Sequence, residues 1–245
     1  MPVRPDDIFI NTHPRSGSTW TRELVWLLQN NLDFEKLKIT QIINTPGTDI
    51  LAEFPTARLI KTHLPLSLLP PGLLDTAKVI YVARDPRDVF VSLYHFKSLH
   101  KSHDAPDNLK PFWNLFIKGK GKFSYTDLTS LIIFQNLPAT VQKVASFLDK
   151  QYTEEQIQQL CDHLSIDKLK NNSSVNHSLL QDVNIFNEEF ALVRKGIMFN
   201  LVVYFYKLFD KEMIEQAEKW IEENLRDTDL QYPTLNFFCS ARKYG

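Results

Sequence analysis

Short apolar runs alternate along the chain with stretches whose apolar positions recur every three or four residues. Residues 7–11 (DIFIN) are one such run, and the pattern predicts a buried strand there. A turn-like stretch, residues 12–19, separates it from Trp20, Leu24, Leu27, Leu28 and Leu32, which line up as one face of a helix. Arg22, Glu23, Gln29 and Asn30 fall on the opposite, polar side. Residues 58–61 (RLIK) and 78–82 (KVIYV) predict further strands, each ending in a polar cluster, and residues 89–96 resume helical spacing. Short apolar strands alternating with helices predict an α/β fold: a single domain over residues 1–245, with a central, mostly parallel sheet flanked by helices on both faces.

The remaining pattern fits the same class. Residues 131–134 (LIIF) predict another buried strand, followed by a helix with Val141, Val144, Phe147 and Leu148 inward. Thr153 and Gln156 have the spacing of a capping box, opening a helix whose apolar face holds Ile157, Leu160, Cys161 and Leu164. Cys161 on that face reads as a core thiol rather than a nucleophile. Ile214, Ala217, Ile221 and Leu225 mark a last amphipathic helix. The longest apolar run, residues 197–209, is too short to span a bilayer and is interrupted by Asn200 and Lys207, so no membrane association is expected. The first residues lack the apolar core of a secretory signal.

Charge and composition narrow the function. Twenty-eight Lys+Arg against 29 Asp+Glu give a net charge of -1 over 245 residues, so no global field draws in nucleic acid, and any anion site must come from local placement. Two distant cysteines, Cys161 and Cys239, make neither a disulfide framework nor a thiolate zinc site, which suits a cytoplasmic protein. His95, His100 and His103 lack companion ligands at metal spacing, so no metal is expected.

Three polar clusters lie where predicted strands end, the edge at which open α/β sheets bind ligands. The first, His13 to Trp20, joins a strand to a helix and carries Arg15, Ser16, Gly17, Ser18 and Thr19. Free amides at a helix N-terminus, a cation and hydroxyls together suit phosphate or sulfate, although an ordinary Ser/Thr cap would give the same pattern. The Walker motif is absent. In the second cluster, Lys61 beside His63 would lower the imidazole pKa and suit it to accept a proton. The third holds Arg84, Asp85, Arg87 and Asp88, with Ser92 one turn on. Its arginines could clamp a phosphate, or could be spent on the neighbouring aspartates. Arg194, Lys195 and Gly196 form a further basic patch, and Trp113 reads either as pocket lining or as core.

Taken in order, THPRSGSTW, KTHLPLSLLP, YVARDPRDVFVSLYHF and VRKG resemble the motifs of cytosolic sulfotransferases, and the helix WTRELVWLLQNNLDFE is similar to invertebrate members. Residues 8–118 resemble the family densely and 136–235 more loosely. The resemblance implies a P-loop-like strand-loop-helix that binds the 5'-phosphosulfate of 3'-phosphoadenosine 5'-phosphosulfate (PAPS) through residues 15–19, with Trp20 on the adenine. It further implies that Arg84, Ser92, Arg194, Lys195 and Gly196 hold the 3'-phosphate. His63 would take the proton of an acceptor hydroxyl on a small lipophilic alcohol or phenol, with Lys61 and Arg15 stabilising charge at the transferred group.

The chain departs from the family in several places. Arg15 stands where the family usually has Lys, keeping the charge without a readily released proton. The family's Tyr-Glu-Asp strand end and the Gly-Asp-Trp-Lys segment after the Arg-Lys-Gly motif have no counterpart. The chain reads as shortened at its start, between residues 118 and 131, and after Gly196. The alternative to an active enzyme is therefore a catalytically impaired protein that still binds PAPS or its product, 3'-phosphoadenosine 5'-phosphate (PAP). No oligomeric state is specified by these motifs.

Overall fold

The structure is a computed structural model, and it describes residues 2–40, 57–99, 108–118, 136–172 and 208–226. The expected strand at 131–134, the Arg194-Lys195-Gly196 patch, Cys239, His100 and His103 lie outside the described residues. Three strands, β1 (Ile8–Thr12), β2 (Leu59–Thr62) and β3 (Lys78–Val82), form a parallel sheet in the order β2-β1-β3. The observed β1 and β2 start one residue later than the apolar runs that predicted them. Central β1 is buried along its whole length, as expected of a strand with neighbours on both sides. Its register pairs Asn11 with Thr62 and Thr12 with Val82, so all three strands end at one edge.

Helix α1 (Ser18–Gln29) follows β1, and α2 (Phe34–Thr40) follows a tight reversal. The helical stripe predicted Leu32 as part of α1. Instead Asn30 closes the helix, and Asn31 and Leu32 take positive φ values of 51° and 59°, which ends the helical path. A short helix α3 (Leu73–Thr76) leads into β3. Helices α4 (Pro86–Leu99) and α5 (Leu109–Ile117) come next, then α6 (Leu137–Phe147), α7 (Glu154–His163), α8 (Ile166–Asn171) and α9 (Lys211–Leu225). No helix among the described residues is long and apolar enough to cross a membrane.

Two cores result. Ile8, Ile10, Ile80 and Val82 from the sheet pack with Leu24, Leu27 and Leu28 of α1 and with Val141, Val144, Ile157 and Leu160 of α6 and α7. Phe147 was expected inward on α6 but is 45% exposed, while Ala145 takes a place in the core. The Thr153 capping box forms with both hydrogen bonds, and Cys161 is buried on the predicted face, where burial raises its thiol pKa. The second core joins α4, α5 and α9 through Phe90, Trp113, Phe209, Met213 and Ala217. Trp113 therefore serves as core; its indole N–H donates to Gln216 Oε1 at 2.8 Å.

Strand register is held at its start by a buried ion pair. Arg58, immediately before β2, donates to both carboxylate oxygens of Asp7, immediately before β1, at 2.7 and 2.5 Å. Burial alone would raise the Asp7 pKa, but the Arg58 guanidinium and the Arg4 amide override it and hold the carboxyl below its usual value. Breaking one side of such a pair strands a buried charge, a loss of about 3–5 kcal/mol. Asp7→Ala is expected to destabilise the fold by that amount in urea unfolding at pH 7; a loss below 1 kcal/mol would show that the pair does not hold the register.

Candidate anion site and proton acceptor at the sheet edge

The loop between β1 and α1 begins with a turn in which Ser16 N–H donates to the His13 carbonyl at 3.1 Å. Arg15 and Gly17 both have positive φ, 71° and 115°. Gly17 adopts this region without strain, whereas Arg15 is held there against its steric preference. Such reversals gather backbone N–H groups into a concavity that suits an anion. Gly17 also occupies the N-cap of α1, where no side chain accepts from the first-turn amides. The Ser/Thr cap that the sequence allowed is therefore not formed, and the open end of the helix dipole faces the loop. Ser16 Oγ is buried with no hydrogen-bond partner among the described residues. A buried donor without a partner is costly, and an anionic oxygen would satisfy it.

Residues of α4 and of the segment just before it reach the same loop. Arg15 Nε donates to Ser92 Oγ at 3.0 Å, and its guanidinium lies 5.0 Å from the Phe96 ring centre. Arg84 Nη1 donates to the Arg15 carbonyl at 3.2 Å. Arg15, Arg84 and Ser92, 77 residues apart at most, thus meet at the start of α1. Arg87 does not join them. It is fully buried, donates to both oxygens of Asp85 at 2.9 and 2.6 Å, and reaches Glu218 of α9 at 2.7 Å. Of the two arginines in this cluster, one serves the loop and the other ties α4 to α9. Asp85 also caps α4 by accepting from Arg87 N–H, with Pro86 at the first helical position.

Trp20 is half-buried, and its indole N–H donates to the Leu164 carbonyl at 3.0 Å, which fixes the ring between α1 and α7. Glu23, assigned to the polar face, is instead 1% exposed and accepts from His163 Nε2 at 2.6 Å and Asn172 Nδ2 at 3.3 Å. Arg22 is half-buried as well, with its pKa lowered by burial. Helical spacing placed Glu23 on the outside because its partners, His163 of α7 and Asn172 just past α8, are more than 130 residues away.

His63 follows β2 at the same edge. Its Nδ1 lies 2.7 Å from the Thr12 carbonyl oxygen and 3.0 Å from Thr12 Oγ1. A carbonyl oxygen only accepts, so Nδ1 carries the proton and Nε2 carries the lone pair. The His63 pKa is lowered chiefly by burial; the Thr12 hydrogen bond raises it, and Lys61 lowers it by a smaller amount. Lys61, the cation that the sequence credited, is thus the lesser cause. Lys61 keeps solvent contact, yet the protein around its stem lowers its own pKa, with Arg22 adding a like-charge push. Thr12, which sets the imidazole tautomer, was not anticipated. His13 was not singled out either: it is buried, its Nδ1–H donates to the Pro14 carbonyl at 2.9 Å, and its ring meets Phe116 edge-on at 6.1 Å. No metal-binding cluster occurs among the described residues.

Comparisons with known proteins identify the family and the fold. The sulfotransferase-domain family model matches residues 5–129 and 132–229. This chain belongs to the sulfotransferase family. Sulfotransferase 1A1 of the dog, Canis lupus familiaris, is 33% identical over 225 residues, covering 80% of this chain and 76% of its own length. Sulfotransferase 1 family member D1 of the mouse, Mus musculus, is 32% identical over 250 residues, covering 88% and 85%. Among solved structures, retinol dehydratase in complex with androsterone and the inactive cofactor PAP superposes with a TM-score of 0.80 at 35% identity, covering 95% of this chain and 84% of that one. The α/β sheet flanked by helices is thus the sulfotransferase fold.

In this sulfotransferase the His13 pKa is lowered to about 4, chiefly by burial; the Pro14 hydrogen bond opposes the shift and the neighbouring His63 adds a little to it. The unfolded chain therefore binds a proton on His13 between about pH 6.5 and 4 that the folded chain rejects, and stability falls as pH falls through that window. At 1.36 kcal/mol per unit this amounts to about 3 kcal/mol. His13→Gln is expected to lose about 2–3 kcal/mol less than the parent between pH 7 and pH 4.5, read as urea unfolding free energies; parallel curves would exclude a buried neutral His13.

Proposed function

We propose that this sulfotransferase moves a sulfuryl group from PAPS to the hydroxyl of a small lipophilic alcohol or phenol, with His63 as general base. The supporting observation is the His63 tautomer: Nδ1–H is engaged by Thr12, so Nε2 is the nitrogen with a lone pair for an acceptor proton. Retinol dehydratase supports the donor and the acceptor class, since that protein has been seen with PAP and with retinol or androsterone. The family match on both sides of residues 130–131 supports one sulfotransferase domain over 1–245.

The residues present fit the nucleotide. The uncapped start of α1, the unpartnered Ser16 Oγ, Gly17, Ser18 and Thr19 offer donors for the 5'-phosphosulfate. Arg84 and Ser92, joined by Arg194, Lys195 and Gly196 from outside the described residues, would hold the 3'-phosphate, with Trp20 against the adenine. Bound there, PAPS supplies an activated sulfuryl group and departs as PAP. His63 Nε2 takes the hydroxyl proton, while Lys61 and Arg15 place positive charge where negative charge develops. Arg15 holds its proton too tightly to act as an acid, so its share is electrostatic.

General-base catalysis contributes roughly 10²–10⁴-fold. His63→Ala is therefore expected to cut transfer of labelled sulfate to a panel of phenols, steroids and retinoids by at least about 100-fold. Its PAP affinity by calorimetry should stay within about threefold of the parent. Transfer that survives the substitution removes His63 from the mechanism. PAP binding by the parent without transfer to any acceptor selects the alternative of a catalytically impaired nucleotide-binding protein, and the absence of PAP binding excludes both.

A further inference from the structure

Behind the phosphate-facing arginine lies a carboxylate that the proposed reaction does not use. Asp88, in the first turn of α4, is 1% exposed. Its Oδ2 lies 3.6 Å from Arg84 Nε, and its Oδ1 has no hydrogen-bond partner among the described residues. Arg84 in turn donates to the Arg15 carbonyl, so Asp88, Arg84 and the anion loop form a row from the interior outward.

The charges acting on Asp88 are Arg84 and Asp85, just before α4, and Arg87 in its first turn. Glu218 of α9 faces Arg87, and the loop meets Arg84 through the Arg15 carbonyl. Arg87 is held at three points by Asp85 and Glu218. That arrangement leaves Arg84 as the cation Asp88 pairs with. A carboxylate this buried, with one oxygen unmatched, is poorly stabilised in its charged form. Burial accordingly pushes Asp88 up to about 7; Arg84 opposes the shift, Asp85 adds to it, and Arg87 opposes it. A phosphate dianion arriving at Arg84 would place further negative charge on the same guanidinium. Either the anion or the carboxylate must give up its share, and the carboxylate can do so by accepting a proton.

We propose that Asp88 is a positioning residue for nucleotide binding, which aims Arg84 at the loop and takes up a proton from solvent when a nucleotide phosphate engages Arg84. This rests on the reading of Arg84 as a phosphate ligand. The carboxylate form holds the guanidinium in place in the free protein, and the carboxylic acid form removes the competing charge in the complex. The sign follows from linkage: the complex binds one more proton than the free protein, so affinity falls as pH rises above the Asp88 pKa, by up to tenfold per unit. From pH 7 upward the 3'-phosphate is already largely dianionic, so its own titration does not mask the effect.

Calorimetry with PAP at pH 7.0 and 8.5 tests this, with each titration at pH 7.5 repeated in two buffers of different ionisation enthalpy. The parent is expected to weaken about tenfold between the two pH values and to take up about 0.7 proton at pH 7.5, since about a quarter of the free protein is already protonated there. Asp88→Asn, which keeps the shape and cannot ionise, should change by less than about threefold and take up almost none. Asp88→Ala should bind more weakly than Asp88→Asn at both pH values, because nothing holds Arg84. An Asp88→Asn protein that reproduces the parent's pH slope and proton uptake overturns the proposal. Failure of the parent itself to bind PAP instead overturns the reading of Arg84 on which it rests. The nucleotide-free proteins give a separate readout: in urea, Asp88→Asn should gain stability relative to the parent as pH rises from 5 to 8, because only the parent pays to ionise the buried group.

Discussion

Parallel pairing of β1 with both of its neighbours is the constraint from which the site follows. Because β1 hydrogen-bonds to β2 and β3 in the same direction, the three chain segments leave the sheet at one edge, and their next residues are neighbours in space. The His13 to Gly17 loop, His63 and Arg84 are brought together by that geometry alone. A one-residue slip of β2 against β1 would turn alternate side chains to the other face and separate Thr12 from His63. The bidentate Asp7–Arg58 pair at the opposite end of the strands holds the register on which this depends.

The second requirement is to bind an anion with a chain that is almost neutral overall. Cations are concentrated where the backbone already offers donors. Arg15 accepts an unfavourable φ to turn the loop, the N-terminus of α1 is left uncapped, and Arg84 just before α4 and Ser92 within it close on Arg15. Nearby Arg87 shows the opposite use of the same residue type. Its charge is consumed internally by Asp85 and Glu218, and it joins two helices of the second core instead of serving a ligand. The two arginines lie three residues apart, and the carboxylates that reach each of them decide their roles.

Much of this was legible in the residue order. The three strands, the helices after the first and third of them, the capping box at Thr153 and the burial of Cys161 follow from local periodicity, which depends on neighbours a few residues apart. Motifs at the strand ends pointed to the right family, and the sheet brings them to one edge. Readings failed where the chain turned or a distant element intervened: Glu23 was placed on a polar face but is covered by His163 and Asn172, and Leu32 was carried in a helix that had already turned.

By itself the sequence determined the strand-loop-helix units and their chemistry, because hydrophobic spacing and residue type are local properties. It also determined that a cation, hydroxyls and a flexible glycine would sit together at Arg15 to Thr19, since they are adjacent in the chain. Only the tertiary structure decided which nitrogen of His63 is free to accept a proton, because the answer comes from a carbonyl 51 residues away. It alone separated Arg84 from Arg87 and placed Asp88 behind the former. Hydrogen-bond partners and burial are set by segments far apart in the chain, and their electrostatic consequences exist only once those segments meet.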